Sequence, residues 1–138
     1  MTTSLIRIAA ALLIGADGRT LLVRKRGTRA FMQPGGKIEP HEQPVQALAR
    51  ELEEELGLVI DSTQARHLGL FSAPAANEPG FTVQAEVFLL NIDTAVSPAA
   101  EIEEIRWIDP AADGDLFLAP LTGEVILPFY RARHLTTC

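Results

Sequence analysis

Between residues 44 and 57 the apolar positions recur every three or four places. Val45, Leu48, Ala49, Leu52 and Leu56 fall along one stripe of a helix. On the same spacing Glu51, Glu54 and Glu55 stand at i, i+3 and i+4, which puts them on a second stripe, roughly 120° from the first. Pro44 suits the first helical position and Gly57 the left-handed position just past the end. Gln43 is a weak N-cap beside Ser, Thr or Asp. The pattern therefore predicts that tertiary contacts, an Arg50–Glu42 pair among them, hold the entry to this helix.

The rest of the chain is mostly strand-like. Residues 5–14 form an apolar run with Arg7 inside it, no basic residue ahead of it and no cleavage-like segment after it. It is too short to span a membrane, and a buried strand is the expectation. Asp17-Gly18 separates it from the run at 20–26 and predicts a hairpin. Residues 27–33 read as loop, and Pro34-Gly35-Gly36-Lys37 places small residues where backbone must approach something closely. Residues 66–71 and 81–92 read as strands around an Asn77-Glu78-Pro79-Gly80 turn. In the second of these, Thr82, Gln84 and Glu86 alternate with Val83, Ala85 and Val87, so one sheet face is polar. Residues 95–100 read as loop and 101–108 lead into a short strand. Residues 121–135 predict a closing helix that Pro128 kinks or breaks. Antiparallel hairpins mixed with two helices argue an α+β class or helices packed around a sheet.

Composition narrows the possibilities. A length of 138 residues with 47% hydrophobic content suits one domain with one core, residues 1–138, with no linker or repeat. The single Cys138 excludes an intramolecular disulfide and a cysteine metal cage, which fits a reduced, cytoplasmic setting. A net charge of −6 argues against non-specific nucleic-acid binding. Arg24, Lys25, Arg26 and Arg29 form the main basic cluster, either a solvated strand end or a landing site for phosphates. His41, His67 and His134 show no ligand spacing.

The acidic stripe is the feature that asks for chemistry. Like charges at i,i+4 cost a few tenths of a kcal/mol per pair on an open surface and more in a cleft. Two readings account for it: a solvated acidic face, or a site for a hard divalent cation that takes oxygen ligands.

The wider stretch resembles the signature of the Nudix hydrolases. That signature is Gly, five residues, Glu, seven residues, then Arg-Glu-aliphatic-x-Glu-Glu-x-Gly-aliphatic, and its places are held by Gly36, Glu42, Arg50, Glu51, Leu52, Glu54, Glu55, Gly57 and Leu58. The resemblance implies an α/β/α sandwich with a mixed central sheet. It also implies Mg²⁺- or Mn²⁺-dependent hydrolysis of a phosphoanhydride bond in a nucleoside diphosphate linked to another group. Carried over by position, Glu51, Glu54 and Glu55 would hold metal, Gly36 would bring its backbone close to it, and Glu51 would be the leading general base. Arg50 would orient Glu51 or Glu42, and Glu42 would be a water-mediated ligand or a structural partner. Glu53 points away from the trio. Among the downstream acids Glu101, Glu103, Glu104 and Glu86, Glu104 looks most like the alternative base of the MutT-type branch.

Gly35 and Lys37 would floor the phosphate site, with Arg24 and Arg26 as further substrate contacts. Phe31 and Met32 would either tuck under their loop or line a base pocket. The lead-in 34–39 looks MutT-like and implies a (d)NTP pyrophosphohydrolase that takes a small-molecule nucleotide, as monomer or homodimer, with no membrane partner. Pro74 stands near where ADP-ribose-cleaving members carry a proline, so an ADP-ribose or sugar-nucleotide pyrophosphatase stays open. A non-catalytic nucleotide sensor would normally have lost box carboxylates. A prenyl-diphosphate isomerase would want a cysteine in the site.

Overall fold

The computed structural model describes residues 4–112 and 115–135. Cys138 and the side chain of His134 lie outside the described residues. The strands are β1 (Leu5–Ile14), β2 (Thr20–Lys25), β3 (Phe31–Met32), β4 (Gly35–Lys37), β5 (Arg66–Pro74), β6 (Thr82–Asn91) and β7 (Ile102–Ile108). The helices are α1 (Pro44–Leu56) and α2 (Leu127–Leu135), the latter entered directly from a π-helical segment, Leu121–Ile126. A 3₁₀ turn, Ser62–Gln64, follows α1, with Asp61 accepting from the Thr63 N–H at its start.

All seven strands join one mixed sheet in the order β3-β2-β1-β6-β5, with β4 added beside β1 and β7 beside β2. β1 is the spine. It runs parallel to β6 from Leu5↔Thr82 to Ile14↔Asn91, which consumes one whole edge. Its other edge is shared. β4 takes Ile8 to Ala10, and β2 keeps only Ile14↔Thr20. The expected hairpin thus exists at its turn, where the Gly15 N–H donates to the Arg19 carbonyl at 2.8 Å. Beyond the turn the strands part, and β2 pairs antiparallel with β7 instead. Part of the segment expected as loop is strand, because Phe31 and Met32 bond to β2.

The alternation of β1 sorts its side chains into two cores. Ala9, Ala11 and Leu13 pack with Leu21, Val23, Phe88 and Leu90 against Leu48, Leu52 and Leu56 of α1. Leu12 and Ile14 pack with Ala85 and Val87 against Leu121, Ile126 and Leu127 on the opposite face. The result is the α/β/α sandwich that the resemblance implied. Small residues in β1 let α1 lie close, and each fully buried leucine contributes about 1.5–3 kcal/mol. The polar face expected for β6 holds only for its first half, since Phe88 and Leu90 continue it as core.

The closing helix is continuous through Pro128. At its π-to-α junction the Leu127 N–H still reaches back to the Thr122 carbonyl. The change of register falls where Pro128 has no N–H to give. No helix among the described residues is long and apolar enough to cross a membrane.

Candidate active site

β4 and α1 build the site together. Gly36 pairs with Ala9, whose side chain faces α1, so Gly36 also presents its α1 side. A Cβ on Gly36 would lie 2.4 Å from the Glu51 carboxyl carbon and 2.6 Å from its Oε1. The carboxylate occupies the space that any other residue would fill. Gly35, at φ +146°, would set a Cβ 2.1 Å from the Ala9 carbonyl oxygen, so only glycine passes there as well.

Arg50 ties the loop to the helix. Its Nε and Nη2 donate to the two oxygens of Glu42, both at 2.9 Å. Nη1 donates to Glu51 Oε2 at 2.8 Å, and Nη2 also reaches the Lys37 carbonyl at 3.1 Å. Glu42 in turn accepts from the Glu39 N–H at 2.9 Å. Paired chiefly with Arg50, the Glu42 carboxyl is held down to about 2, and Arg50 is pushed above the ordinary guanidinium range. The helix entry is held as expected by this pair, and the Gln43 N–H finds Gln46 Oε1 at 2.9 Å.

The three carboxylates of the acidic stripe do not share one environment. Glu54 is open to solvent, with its Oε1 3.9 Å from Arg50. Glu51 is largely covered between Arg50 and Gly36. Glu55 is 2% exposed and lies within the apolar stripe of α1. Its Oε1 accepts from the Gly35 N–H at 3.2 Å, and its Oε2 has no partner among the described residues. Burial, with the Glu51 charge adding to it, pushes the Glu55 carboxyl up to about 8. Glu53 is exposed, as its helical position predicted.

No three acidic or imidazole side chains among the described residues are gathered around one point. Arg50 draws Glu51 toward the loop while Glu55 turns inward. The donor chemistry nonetheless fits a hard cation. The ligands on offer are carboxylate oxygens, one of them a buried orphan, over a glycine with no Cβ in the way.

The downstream acids take separate partners. Glu104 lies within β7, opposite Arg24, where it bonds to Arg106 at 2.7 Å and Arg24 at 3.2 Å. Those bonds, Arg106 first, hold its carboxyl below the usual range. The downstream acid whose charge reaches Glu55 is Glu101, paired with Lys25 at 3.4 Å. Glu86 shares a row of the sheet with Ala9 and Gly36, and its Oε1 sits 2.6 Å from His67 Nε2. The basic cluster is not an open cationic patch. Arg24, Lys25 and Arg26 each face an acid of the 101–104 stretch, and Arg29 lies over the Phe117 ring. Lys37 is exposed. Phe31 is buried beneath Arg24 and Arg106, whereas Met32 packs against the α1-side core and also lines a cleft with Ile8, Ala10 and Val83. The signal for Glu101 was available only as its place in an acidic run, which does not say which member turns toward α1.

Residues 5–125 match the family model for the NUDIX domain. Over 63 residues the chain is 40% identical to the 8-oxo-dGTP diphosphatase of Haemophilus influenzae, covering 43% of this chain and 46% of that protein. Over 99 residues it is 36% identical to the octanoyltransferase of Myxococcus xanthus, covering 69% of this chain and 28% of that protein. The chain spans less than half the length of each of these curated relatives. Among solved structures, a protein of Chromobacterium violaceum assigned to the nudix hydrolase family aligns with a TM-score of 0.70 at 32% identity. That alignment covers 96% of this chain and 80% of the other.

Proposed function

The chain belongs to the Nudix hydrolase family, and on that footing we propose that it hydrolyses a phosphoanhydride bond in a small-molecule nucleotide. Its substrate would be a nucleoside diphosphate linked to another group, of the (d)NTP type, and its metal Mg²⁺ or Mn²⁺. The observation that carries this reading is the Glu51 carboxylate seated on Gly36, with Arg50 on one side and buried Glu55 on the other. A solvated acidic face would need neither the missing Cβ nor the buried orphan oxygen.

Glu51, Glu55 and Glu54 would hold the metal, which when bound polarises phosphoryl oxygens and acidifies water. The protein's own residues do the positioning. Arg50 fixes Glu51 by one hydrogen bond to Oε2 and leaves Oε1 without a bond to Arg50, which suits Glu51 to act as the base. Glu42 locks Arg50 from the loop side, and so acts as a positioning residue. Glu104 is already engaged by two arginines, which suits it to hold β7 to β2 rather than to take a proton.

A second reading, an ADP-ribose or sugar-nucleotide pyrophosphatase, is favoured by Pro74, which ends β5 at the mouth of the cleft that Met32 lines. Steady-state rates on (d)NTPs, ADP-ribose, sugar nucleotides and dinucleoside polyphosphates, each with Mg²⁺ and with EDTA, test both readings. Chelator-sensitive turnover of the triphosphates supports the first, and a preference for ADP-ribose supports the second. Turnover that survives exhaustive chelation overturns the metal-dependent reading altogether.

A further inference from the structure

The basic side chains of the sheet are not all neutralised within the protein. Arg24, Lys25 and Arg26 face acids of residues 101–104, Arg106 holds Glu104, and Arg50 is committed to Glu42 and Glu51. Arg7 is exposed in β1 and has no ion pair or side-chain hydrogen bond among the described residues.

Its position in β1 brings it beside the candidate active site. Ala9 faces α1 and pairs with Gly36, and strand alternation turns Arg7, two residues earlier, to the same face. Two residues of strand span about 7 Å and adjacent strands lie about 5 Å apart, so the two Cα atoms of Arg7 and Gly36 are about 8 Å apart. The chain between them is tied down. The Ile38 N–H donates to the Arg7 carbonyl at 3.1 Å, and the Lys37 carbonyl accepts from Arg50 Nη2, also at 3.1 Å. Arg50 in turn holds Glu51, so Arg7 and the Glu51 carboxylate are fixed to one short segment, residues 36–38.

Arg7 lines a cleft of about 370 Å³ that begins at Lys37, the residue after Gly36. Lys37 is a second cation on its wall, and Leu5 and Phe81 give it an apolar rim. The acid on its far wall, Glu78, forms no ion pair with either cation among the described residues. Around Glu51, Glu54 and Glu55 the surface is acidic, whereas this cleft carries an excess of positive charge. A phosphate chain laid over Gly36 has a neutral end, the nucleoside, and a highly charged end. The cleft suits the charged end, because a guanidinium fork matches two phosphate oxygens at once.

We propose that Arg7 is a specificity-determining residue that binds the terminal phosphate of the substrate, the end farthest from the nucleoside. It thereby selects nucleotides whose distal group is anionic over those in which that group is a neutral sugar. The inference rests on the nucleotide-hydrolase reading above and names the substrate class within it.

The experiment measures kcat and KM of the full chain with Mg²⁺ on three matched pairs: ATP with ADP-glucose, GTP with GDP-glucose and UTP with UDP-glucose. Each pair shares base, ribose and two phosphates, and exchanges the terminal phosphate for glucose. The wild-type chain prefers the triphosphate of each pair that it cleaves. Arg7→Gln raises KM for the triphosphate and lowers its kcat/KM by about tenfold or more, the value of a charged hydrogen bond, while the sugar nucleotides stay within about twofold. Arg7→Lys falls between, since it keeps the charge and loses the fork. Product inhibition gives a second readout that a general disturbance of the site would not separate. In Arg7→Gln the inhibition constant of pyrophosphate rises by the same factor as KM, and that of the nucleoside monophosphate does not. Arg7 is exposed, so the variants keep the core intact, which thermal melting checks. An Arg7→Gln variant that lowers both members of a pair alike, or neither, overturns the inference. Cleavage of other nucleotides but of none of the three triphosphates overturns it and leaves the nucleotide-hydrolase reading in place. Absence of turnover on every nucleotide overturns both.

Discussion

Replacing Glu55 by Gln isolates what it costs to bury a carboxylate with no counter-charge on its second oxygen. The Glu55 carboxyl titrates at about 8 in the folded chain, against an ordinary value of 4.5, chiefly because it is buried. Between those values the folded chain holds a proton that the unfolded chain has lost, so stability falls as pH rises. The contribution is complete below about 4.5, shrinks through the window and is gone above about 8. At about 1.4 kcal/mol per pH unit, the loss amounts to about 3 kcal/mol at pH 7 and about 4 kcal/mol at pH 8, where the group is half protonated. Gln does not titrate, but its amide N–H₂ replaces the orphan Oε2 and costs about 1–3 kcal/mol at every pH. The two stability curves should therefore cross near about pH 6, with the variant less stable at pH 5 and more stable at pH 8. Urea unfolding in EDTA, followed by fluorescence of the single Trp107, reads both curves. At pH 8, Mg²⁺ should then raise the wild type and leave the variant nearly unmoved. Wild-type and variant stabilities that run parallel from pH 5 to pH 8 would refute the reasoning.

Four substitutions test the parts around Glu55. Gly36→Ala sets a methyl 2.4 Å from the Glu51 carboxyl carbon, so kcat should fall by about 10²-fold, and near-normal turnover would mean that Glu51 does its work elsewhere. Arg50→Lys supplies one point charge where a planar fork holds Glu42 and Glu51 at once, so kcat should fall by about tenfold or more, with an unchanged kcat counting against the positioning role. Glu51→Gln should lower kcat by about 10²-fold or more at saturating Mg²⁺, while Glu104→Gln should stay within about tenfold. An equal loss in Glu104→Gln that added metal does not rescue would transfer the base to β7.

Local patterns made much of the framework legible. The 3.6-residue spacing of Leu48, Leu52 and Leu56 marked the core face of α1, and Gly57 does close it in the left-handed conformation. Arg50 and Glu42, eight residues apart, do pair as expected. What escaped the reading depends on residues distant in sequence. Nothing near Leu5 to Ile14 says that this strand will take β6 in parallel and leave β2 after one pair. The charge cluster at 24–26 read as cationic because its neutralising acids arrive from residues 101–104, in and just before β7. The Glu51–Glu54–Glu55 stripe predicted a shared face. The depth at which β4 crosses α1 decides that Glu55 is buried while Glu54 is not. The buried hydrogen bond from Thr122 to Gln33, 89 residues apart, carried no sequence signal at all.

The most direct test of the account is the hydrolysis assay itself on one nucleotide preparation, with products separated by anion exchange. The wild-type chain with Mg²⁺ should convert a nucleoside triphosphate to the monophosphate and pyrophosphate. EDTA should stop the reaction, and Glu51→Gln should slow it by about 10²-fold or more while Glu53→Gln, on the solvent side of α1, leaves it unchanged. Phosphoanhydride cleavage that persists in EDTA, or that falls as far in Glu53→Gln as in Glu51→Gln, would contradict the assignment of this chemistry to the carboxylate seated on Gly36.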